Sequence, residues 1–439
     1  MKKLNLLVEN INLKSIISDI WANKILRRKF LFTLFILFIF RMFAYVTIPT
    51  IDLNKLRELF SGNQFLVLLD IFSGGTLVNF SIMAVGLNPY INASIAIQLL
   101  SVIYPPLEAL SKEGEYGRFK LNQYTRFITL PIAFLQSIGM YFFLNNQKII
   151  GQLSFVELLV FALSLTAGTF ILMWLGELIS EFGVGNGVSF IILAGIVGRI
   201  PVMFGQSINL VNQETVIPSL LLIGLSFLII YAVVVLNEAK RKIPVYYAKR
   251  VRGGKMYGGA TNYLPIKLSQ AGVIPIIFAV SFVLFPQLIG NFMASSGKAN
   301  LQAIGQFLVS VFDANGFVYN LIYFLLVVVF TFFYSSVIFS PQKITDEIQK
   351  YGGFIPGIRP GKNTKDYLQA TLFRLTFIGA IFLGIIAILP NILSSFTGTR
   401  MIFFGGTSIL IVVSVILETY KVVQAQLTTS SYDKLQTSL

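Results

Sequence analysis

The chain has 439 residues, of which 55% are hydrophobic and only 12% are charged. Soluble domains carry about 25% charged residues, so this composition excludes a set of soluble domains and indicates a polytopic membrane protein. The absence of cysteine and histidine excludes disulfides, thiol nucleophiles and histidine-based metal or acid–base sites. A net charge of +15, from 34 basic and 19 acidic residues, predicts basic loops facing the cytoplasm and makes anionic lipid or nucleic acid a candidate partner.

Residues 1–29 form the first predicted element, an amphipathic cytoplasmic segment. Apolar side chains from Ile11 to Trp21 recur at helical spacing, and basic residues follow them up to Lys29. This pattern is typical of an interfacial helix followed by the charges that orient a membrane protein. No small-residue cleavage site ends the first apolar segment, so we expect no cleaved signal peptide.

Ten apolar segments that we predict to be membrane-spanning helices follow. They lie near residues 30–48, 79–103, 127–144, 154–175, 187–204, 216–236, 269–290, 317–338, 370–390 and 403–424. An even number of spans places both termini on one side of the membrane. The basic N-terminal segment and the basic loops 237–267 and 340–367 predict that this side is the cytoplasm.

One stretch, from Phe65 to Gln98, cannot be a continuous helix. Its first part, 65–72, is too short to cross a bilayer, which needs about 20 apolar residues, and it ends at the turn sequence Ser73-Gly74-Gly75. Its second part is interrupted by Gly86 and Asn88-Pro89. Broken helices at membrane depth are tolerated only where they are buried in protein or line a cavity. We therefore predict a half-helix that folds into a pathway, followed by a helix in the wall of that pathway.

The second and seventh spans share a short pattern. Residues 86–93 and 272–279 both read G-x-x-P-x-I-x-A. The copies are five spans apart, an odd number, so they would cross the membrane in opposite directions. That arrangement is typical of an inverted repeat with the working site at the interface of the halves, although four identities can also arise by chance.

Six long motifs occur in order over nearly the whole chain. They are IFSGGTLVNFSIMAVGLNPYINASIAIQLL, KEGEYGRFKLNQYTR, MWLGELISEFGVGNGVSFIILAGIV, NYLPIKLSQAGVIPIIFA, FIPGIRPGKNT and GGTSILIVV. Together they resemble the SecY family of protein-conducting channels. The resemblance implies an all-α polytopic membrane protein with ten transmembrane helices in two pseudo-symmetric inverted halves of five, and a re-entrant plug half-helix.

The resemblance and the predicted spans together divide the chain into segments. They are 1–29, the cytoplasmic amphipathic segment; 30–204, the N-terminal half with spans one to five and the plug at about 64–75; 205–236, a periplasmic loop and span six; 237–268, a basic cytoplasmic loop; 269–338, spans seven and eight; 339–369, a cytoplasmic loop; 370–424, spans nine and ten; and 425–439, a cytoplasmic tail.

The resemblance implies a pore whose waist is a ring of six aliphatic side chains. Carried onto this sequence, the ring comprises Leu87 and Ile91 on span two, Val188 and Ile192 on span five, Ile277 on span seven and Ile411 on span ten. The i, i+4 spacing places each of the two pairs on one helix face, and an apolar constriction holds ions back by dewetting. Without the family resemblance, an aliphatic residue in a membrane span would be interpreted as an ordinary core or lipid-facing residue. Leu87 and Val188 depart from the isoleucine that is common in the family. This changes the width of the ring slightly but keeps it apolar.

The half-helix corresponds to the family's plug, which would sit on the outer side of the ring. The plug and hinge residues are Phe65, Leu68, Ile71, Ser73, Gly74 and Gly75; an ordinary re-entrant segment would show the same pattern. The family's lateral gate lies between spans two and three on one side and seven and eight on the other. The gate residues here are Pro89, Asn92, Gln98 and Pro275. The prolines are expected to let their helices bend, and the amides either receive a signal sequence or join helices by hydrogen bonds.

The two basic cytoplasmic loops correspond to the family's docking surface for the ribosome or the SecA ATPase, with Arg241, Arg250 and Arg359 at its basic positions. Plain topogenic charge is the alternative, but Arg359 lies in a tip framed by proline and glycine, and loops of that kind usually carry function. The resemblance also implies SecE and SecG subunits, signal-sequence-bearing polypeptides and anionic lipids as partners, with YidC and SecDF as further candidates. It implies a location in the bacterial plasma membrane, no cofactor and no metal.

Two other functions are open on the residues alone. A secondary transporter also has broken helices and inverted repeats, but it usually places charged residues at the membrane midplane, and saturable, gradient-coupled solute uptake would identify it. An intramembrane enzyme would need paired carboxylates, a Ser–His arrangement or metal ligands, and none is recognised in the sequence. The chain also contains no G-x-x-x-x-G-K-[ST] nucleotide motif, so a channel of this kind would take its energy from a partner.

Overall fold

The computed structural model describes most of the chain. The described residues are 18, 20–48, 55–56, 70, 73, 75–209, 216–247, 250–252, 255–257, 261–270, 272, 274–294, 298–313, 316–397 and 406–437. The helices are α1 Lys24–Phe43, α2 Asn88–Ile103, α3 Pro105–Lys112, α4 Glu115–Asn146, α5 Phe155–Phe182, α6 Gly187–Asn209, α7 Val216–Glu238, α8 Ile274–Ala294, α9 Ala299–Val311, α10 Phe317–Ile338, α11 Pro341–Lys350, α12 Lys362–Thr397 and α13 Gly406–Thr437. The strands are β1 Lys240–Tyr247, β2 Arg250–Arg252, β3 Lys255–Tyr257, β4 Thr261–Lys267 and β5 Gly353–Phe354.

Each of the ten predicted spans overlaps a helix, and α10 has the predicted bounds. The first span is displaced, since α1 begins at Lys24 rather than at residue 30 and ends at Phe43. Asn23 explains that start, because its side-chain oxygen accepts hydrogen bonds from the backbone N–H groups of Ile25 and Leu26. The second span is shorter than predicted: residues 79–87 form turns and a single bridge residue, and the helix begins only at Asn88.

Several of these helices can cross a membrane. Among the described residues, α4, α5, α12, α13 and the run Phe317–Lys350 that contains α10 are long and apolar enough to do so. The shorter pair α2 and α3 meets the same requirement only when taken together, and its axis bends by 101° at Tyr104. The chain is therefore a multi-pass, mainly helical membrane protein.

Close packing groups the chain into two compact units. One comprises Met1–Pro201 with Val415–Leu439, and the other comprises Val202–Ser414. In the first unit, a hydrogen bond from the backbone N–H of Val184 to Thr33 Oγ1 (3.2 Å) joins the turn after α5 to α1. A β-carbon at Gly183 would lie 2.5 Å from that same hydroxyl oxygen, so only glycine allows the turn to approach α1 this closely.

The buried Thr33 hydroxyl leads to a prediction about stability. Thr33→Val is nearly isosteric, but it removes the acceptor for the Val184 N–H and leaves that donor unpaired in the interior. We expect the free energy of unfolding to fall by about 1–3 kcal/mol. Thermal unfolding in detergent would measure the loss, and Thr33→Ser is the matched control because it retains the hydroxyl. A valine variant as stable as the serine variant would contradict the prediction.

In the second unit, small residues bring helices into close contact. Glycines at 290 and 305 join α8 to α9, and a β-carbon at Gly290 would lie 2.9 Å from Leu308 Cβ. The side chains of Ser335 and Thr376 share a buried hydrogen bond of 2.9 Å between α10 and α12. Helix α9 lies between the predicted spans 269–290 and 317–338, where the sequence predicts no helix.

The second unit also contains a small sheet outside the spans. Its strand order is β4-β1-β5, all antiparallel, and β2 and β3 form a separate hairpin. Alternate residues of β1, Ile243 and Val245, are buried, as expected for a strand with one face on a core. Together they define one hydrophobic core with β4, α11 and the start of α12: Ile243, Val245, Ile266, Phe339, Ile348, Ile355, Leu368 and Leu372. From the sequence, both parts of this subdomain are predicted only as basic loops.

Candidate functional site

A buried, non-helical segment lies where the sequence predicted a broken helix. We call Ser73 and residues 75–87 the turn segment. Thr76, Phe80 and Ser81 are fully buried, so their backbone and hydroxyl groups need partners within the protein. Thr76 Oγ1 lies 2.9 Å and 2.8 Å from the carbonyl oxygens of Ser73 and Met83, and Ser81 N–H donates to Thr76 O (3.1 Å). The segment is therefore an internally hydrogen-bonded structure embedded in the first unit.

A glycine of α5 makes room for this segment. A β-carbon at Gly168 would overlap the carbonyl oxygen of Ile82. Phe80 adopts a positive φ of 39° and stacks on Phe161 of α5 at a centroid distance of 5.9 Å. A bulky residue with positive φ is uncommon and marks a backbone that its surroundings hold in place.

The two copies of the G-x-x-P pattern have the same local geometry. Gly86 and Gly272 have φ values of 69° and 61°, and each lies two residues before a helix, α2 or α8. The pattern therefore encodes a left-handed glycine followed by a helix start. It also corrects the expectation about Pro89 and Pro275. Both are the second residue of their helix, where the missing N–H would have no intrahelical partner, so neither proline frees a carbonyl within a helix or bends it.

The four predicted ring residues of the first unit occupy two helix faces. Leu87 caps α2 and its carbonyl accepts from the Ile91 N–H (2.9 Å), so the pair lies one turn apart. Ile192 of α6 is buried, while Val188 is half-buried with its γ-methyl group directed at Gly176 of α5.

The other two predicted ring residues belong to the second unit. Ile277 lies in the first turn and a half of α8 and is 6% exposed, and Ile411 of α13 is fully buried. Five of the six predicted ring residues, all except Val188, are thus buried, each within its own unit.

The remaining gate residues lie on α2. Gln98 Nε2 donates to Ser94 Oγ at 3.0 Å, so the amide is held by its own helix rather than by a neighbour. Asn92 is half-buried. The plug and hinge positions are only partly described: Phe65, Leu68, Ile71 and Gly74 lie outside the described residues. Gly75 has a φ of 77°, and its N–H donates to the carbonyl of Asp70 (2.7 Å).

Sequence reasoning missed an ion pair in this region. Asp70, fully buried, pairs with Arg199 of α6, whose side chain is 17% exposed. Asp70 and Arg199 both lie in apolar segments of the sequence. An ionisable residue in such a segment is a candidate functional residue and usually pairs with another polar group. The sequence could therefore have indicated each residue as a functional candidate, but it could not show that the two charges form a pair.

The three arginines of the predicted docking surface lie on three different elements. Arg241 is exposed at the α7 end of β1, five residues from Tyr246, which pairs with β5; this is about 16 Å along a strand. Arg250 begins β2. Arg359 is exposed in the tip between β5 and α12. Among the described residues, no group of three or more Asp or Glu side chains could hold a metal ion.

Comparison with known proteins identifies related chains. The family model named SecY matches residues 81–420. The chain is 41% identical over 427 residues to the protein translocase subunit SecY of Mycobacterium tuberculosis (strain ATCC 25618 / H37Rv), covering 93% of this chain and 96% of that protein. It is also 41% identical over 427 residues to the subunit of that name from Staphylococcus aureus (strain NCTC 8325 / PS 47), covering 94% and 97%.

Solved structures share the fold. One, described as "The structure of a protein conducting channel", has a TM-score of 0.67 at 17% identity and covers 91% of this chain and 92% of its own. Another, described as "Sec61 in the Canine ribosome-channel complex from the endoplasmic reticulum", has a TM-score of 0.63 at 16% identity, with 91% and 92% covered.

Proposed function

Since the chain belongs to the SecY family, we propose that it is the channel subunit of a Sec translocon. It passes unfolded secretory polypeptides across the plasma membrane and releases membrane-protein segments sideways into the bilayer. The observation that carries the proposal is the burial of aliphatic residues at the family's ring positions. Leu87, Ile91 and Ile192 are buried in the first unit, which also contains the embedded turn segment, and Ile277 and Ile411 are buried in the second. An enzyme or an ion-coupled transporter would need charged or nucleophilic groups at those positions.

The proposed constriction consists of Leu87, Ile91, Val188, Ile192, Ile277 and Ile411. Aliphatic side chains offer a passing polypeptide no fixed hydrogen-bond partner, so such a ring discriminates little between sequences. In the resting state the same apolar ring excludes water and holds back ions. Ser73, Gly74 and Gly75 form the hinge of the proposed plug. The positive φ of Gly75 supports that role because glycine adopts such a conformation at little steric cost.

The proposed gate uses the beginnings of α2 and α8. Pro89 and Pro275 fix where these helices start, and Asn92 and Gln98 face the arriving signal sequence. Gln98 already has a partner in Ser94, so a polypeptide would have to exchange that hydrogen bond for its own.

Energy for transport comes from a partner, because the chain has no nucleotide motif. The docking surface comprises Arg241, Arg250 and Arg359, which would bind the SecA ATPase or the ribosome. The structural similarity to a channel that was described in a complex with a ribosome supports the ribosome as a candidate partner. SecE, SecG and anionic lipids complete the proposed assembly, with YidC and SecDF as further partners.

The proposed location is the bacterial plasma membrane with both termini in the cytoplasm, and the segment boundaries are those given above. The basic charge of the sheet subdomain supports this orientation. It carries Lys240, Arg241 and Lys242 at the start of β1 and Lys267 at the end of β4.

A stalled secretory polypeptide with a photoreactive group would test the function. We expect it to cross-link to Ile91, Ile192 and Ile277. The exposed residues Phe155 of α5 and Phe377 of α12, which lie outside the proposed gate helices, serve as controls and should remain unlabelled. Cross-links confined to the control positions, or saturable uptake of a small solute, would contradict the channel.

A further inference from the structure

The Asp70–Arg199 ion pair stands out from the other charges of the first unit. The Asp70 carboxylate is fully buried and its Oδ1 accepts the backbone N–H of Val78 (2.9 Å), while the guanidinium of Arg199 pairs with Oδ2. The main-chain carbonyl of Asp70 accepts from the N–H of Gly75 (2.7 Å) and from Ser73 Oγ (3.0 Å). One residue therefore binds the turn segment at three points and α6 at a fourth.

The contact on α6 lies on the helix face that carries the proposed ring residues. Positions 188, 192, 195 and 199 follow one another at intervals of four, three and four, so they form a single stripe. A β-carbon at Gly75 would lie 3.4 Å from the Gly195 carbonyl oxygen and 3.3 Å from Arg199 Cγ. Gly75 thus packs on this stripe next to the ion pair, and Arg199 lies two helical turns from Ile192.

We propose that the Asp70–Arg199 pair is a latch that holds the turn segment on α6 in the resting channel and separates when a polypeptide passes. The inference rests on the proposed channel function. Separating the pair without a substrate leaves two uncompensated charges in a poorly hydrated interior, which is strongly unfavourable. A passing polypeptide and the water that accompanies it would supply new hydrogen-bond partners for the two charges. The latch therefore disfavours opening without a substrate but does not oppose transport.

Single substitutions test the latch through the resting leak. Asp70→Asn and Arg199→Gln each leave one partner unpaired in the closed state, and we expect the ion conductance of substrate-free channels in planar bilayers to rise about tenfold or more. Arg199→Lys retains the charge and should leak far less. The double variant Asp70→Arg with Arg199→Asp restores an ion pair of opposite polarity and should recover most of the seal.

A matched control separates the latch from general destabilisation. Arg126 of α4 and Glu177 of α5 form a two-point ion pair in the same unit (2.7 and 2.8 Å), and neither residue belongs to α6 or to the turn segment. Glu177→Gln should not raise the resting conductance. Equal leakage from Glu177→Gln and Asp70→Asn, or no recovery in the exchanged double variant, would overturn the latch.

A second experiment uses the absence of native cysteine. In Asp70→Cys with Arg199→Cys, a short bis-methanethiosulfonate reagent would bridge the two positions. We expect bridging to block export of a substrate with an intact signal sequence and dithiothreitol to restore it. Undiminished export by bridged channels would reject the latch while leaving the channel function standing, whereas a wild-type chain that carries no polypeptide in the same vesicles would reject both.

Discussion

A chain carrying Arg359→Glu is expected to lose SecA-driven export while inserting into the membrane at the wild-type level. Losing one partner of a hydrogen-bonded charge pair at an interface costs about 2–5 kcal/mol, and reversing the charge adds repulsion, so we expect export to fall at least thirtyfold. Export of a signal-bearing substrate into inverted vesicles supplied with SecA and ATP would measure the loss. The amount of chain in the membrane fraction would report insertion.

The structure explains why this substitution should act on docking alone. The exposed Arg359 side chain directly follows an anchored stretch of the tip, since Ile355 is buried in the sheet core and Ile358 packs against it. The Thr364 hydroxyl donates to the Arg359 carbonyl (3.0 Å), and Gly361 has a φ of 96°. These contacts fix the backbone and none uses the guanidinium, so glutamate can replace arginine without altering the fold.

Two further variants give the Arg359 experiment its controls. Lys362→Glu reverses an exposed charge three residues away, at the start of α12, and should reduce export far less. Arg359→Lys keeps the charge but loses the planar fork that contacts two carboxylate or phosphate oxygens at once, so we expect an intermediate rate. Equal losses for Arg359→Glu and Lys362→Glu would mean that total loop charge matters rather than this arginine.

The sequence located the spans better than the elements between them. Runs of apolar residues mark a membrane helix wherever they occur, which is why α10 has its predicted bounds. The alternation of Ile243, Val245 and Tyr247 in β1 carried a strand signal, but the surrounding basic residues favoured a loop. Helix α9 was not predicted because Gly305, which makes its close packing on α8 possible, resembles an ordinary loop glycine.

The candidate site was predictable only as separate parts. The family motif supplied the ring positions, and the spacing of Leu87 and Ile91 supplied a common face. Periodicity could not reveal that Pro89 starts a helix instead of bending one, because that depends on the left-handed conformation of Gly86. Nor could it pair Asp70 with Arg199, since the two lie far apart in sequence and only the folded chain brings them together.

Ile411→Asn is expected to loosen the closed channel so that substrates with defective signal sequences are exported. Ile411 is fully buried, and burying an amide without a partner costs about 1–3 kcal/mol in proteins. If that cost falls on the closed state alone, the ratio of closed to open channels drops by about tenfold for each 1.4 kcal/mol.

That shift has a selective consequence for the substrate. A polypeptide opens the channel only by as much as it prefers the open state over the closed one, so a defective signal sequence fails because its preference is too small. Lowering the closed-state stability reduces the preference that is needed, and weak signals then suffice while intact signals gain little. Ile409→Asn places the same amide at a position 5% exposed and two residues along α13, on a different face, so it incurs a similar burial cost away from the proposed ring. Export of a signal-defective reporter should therefore rise in Ile411→Asn, remain low in Ile409→Asn and stay at the wild-type level in Ile411→Val; the same increase in both asparagine variants would assign the effect to helix stability and remove Ile411 from the ring.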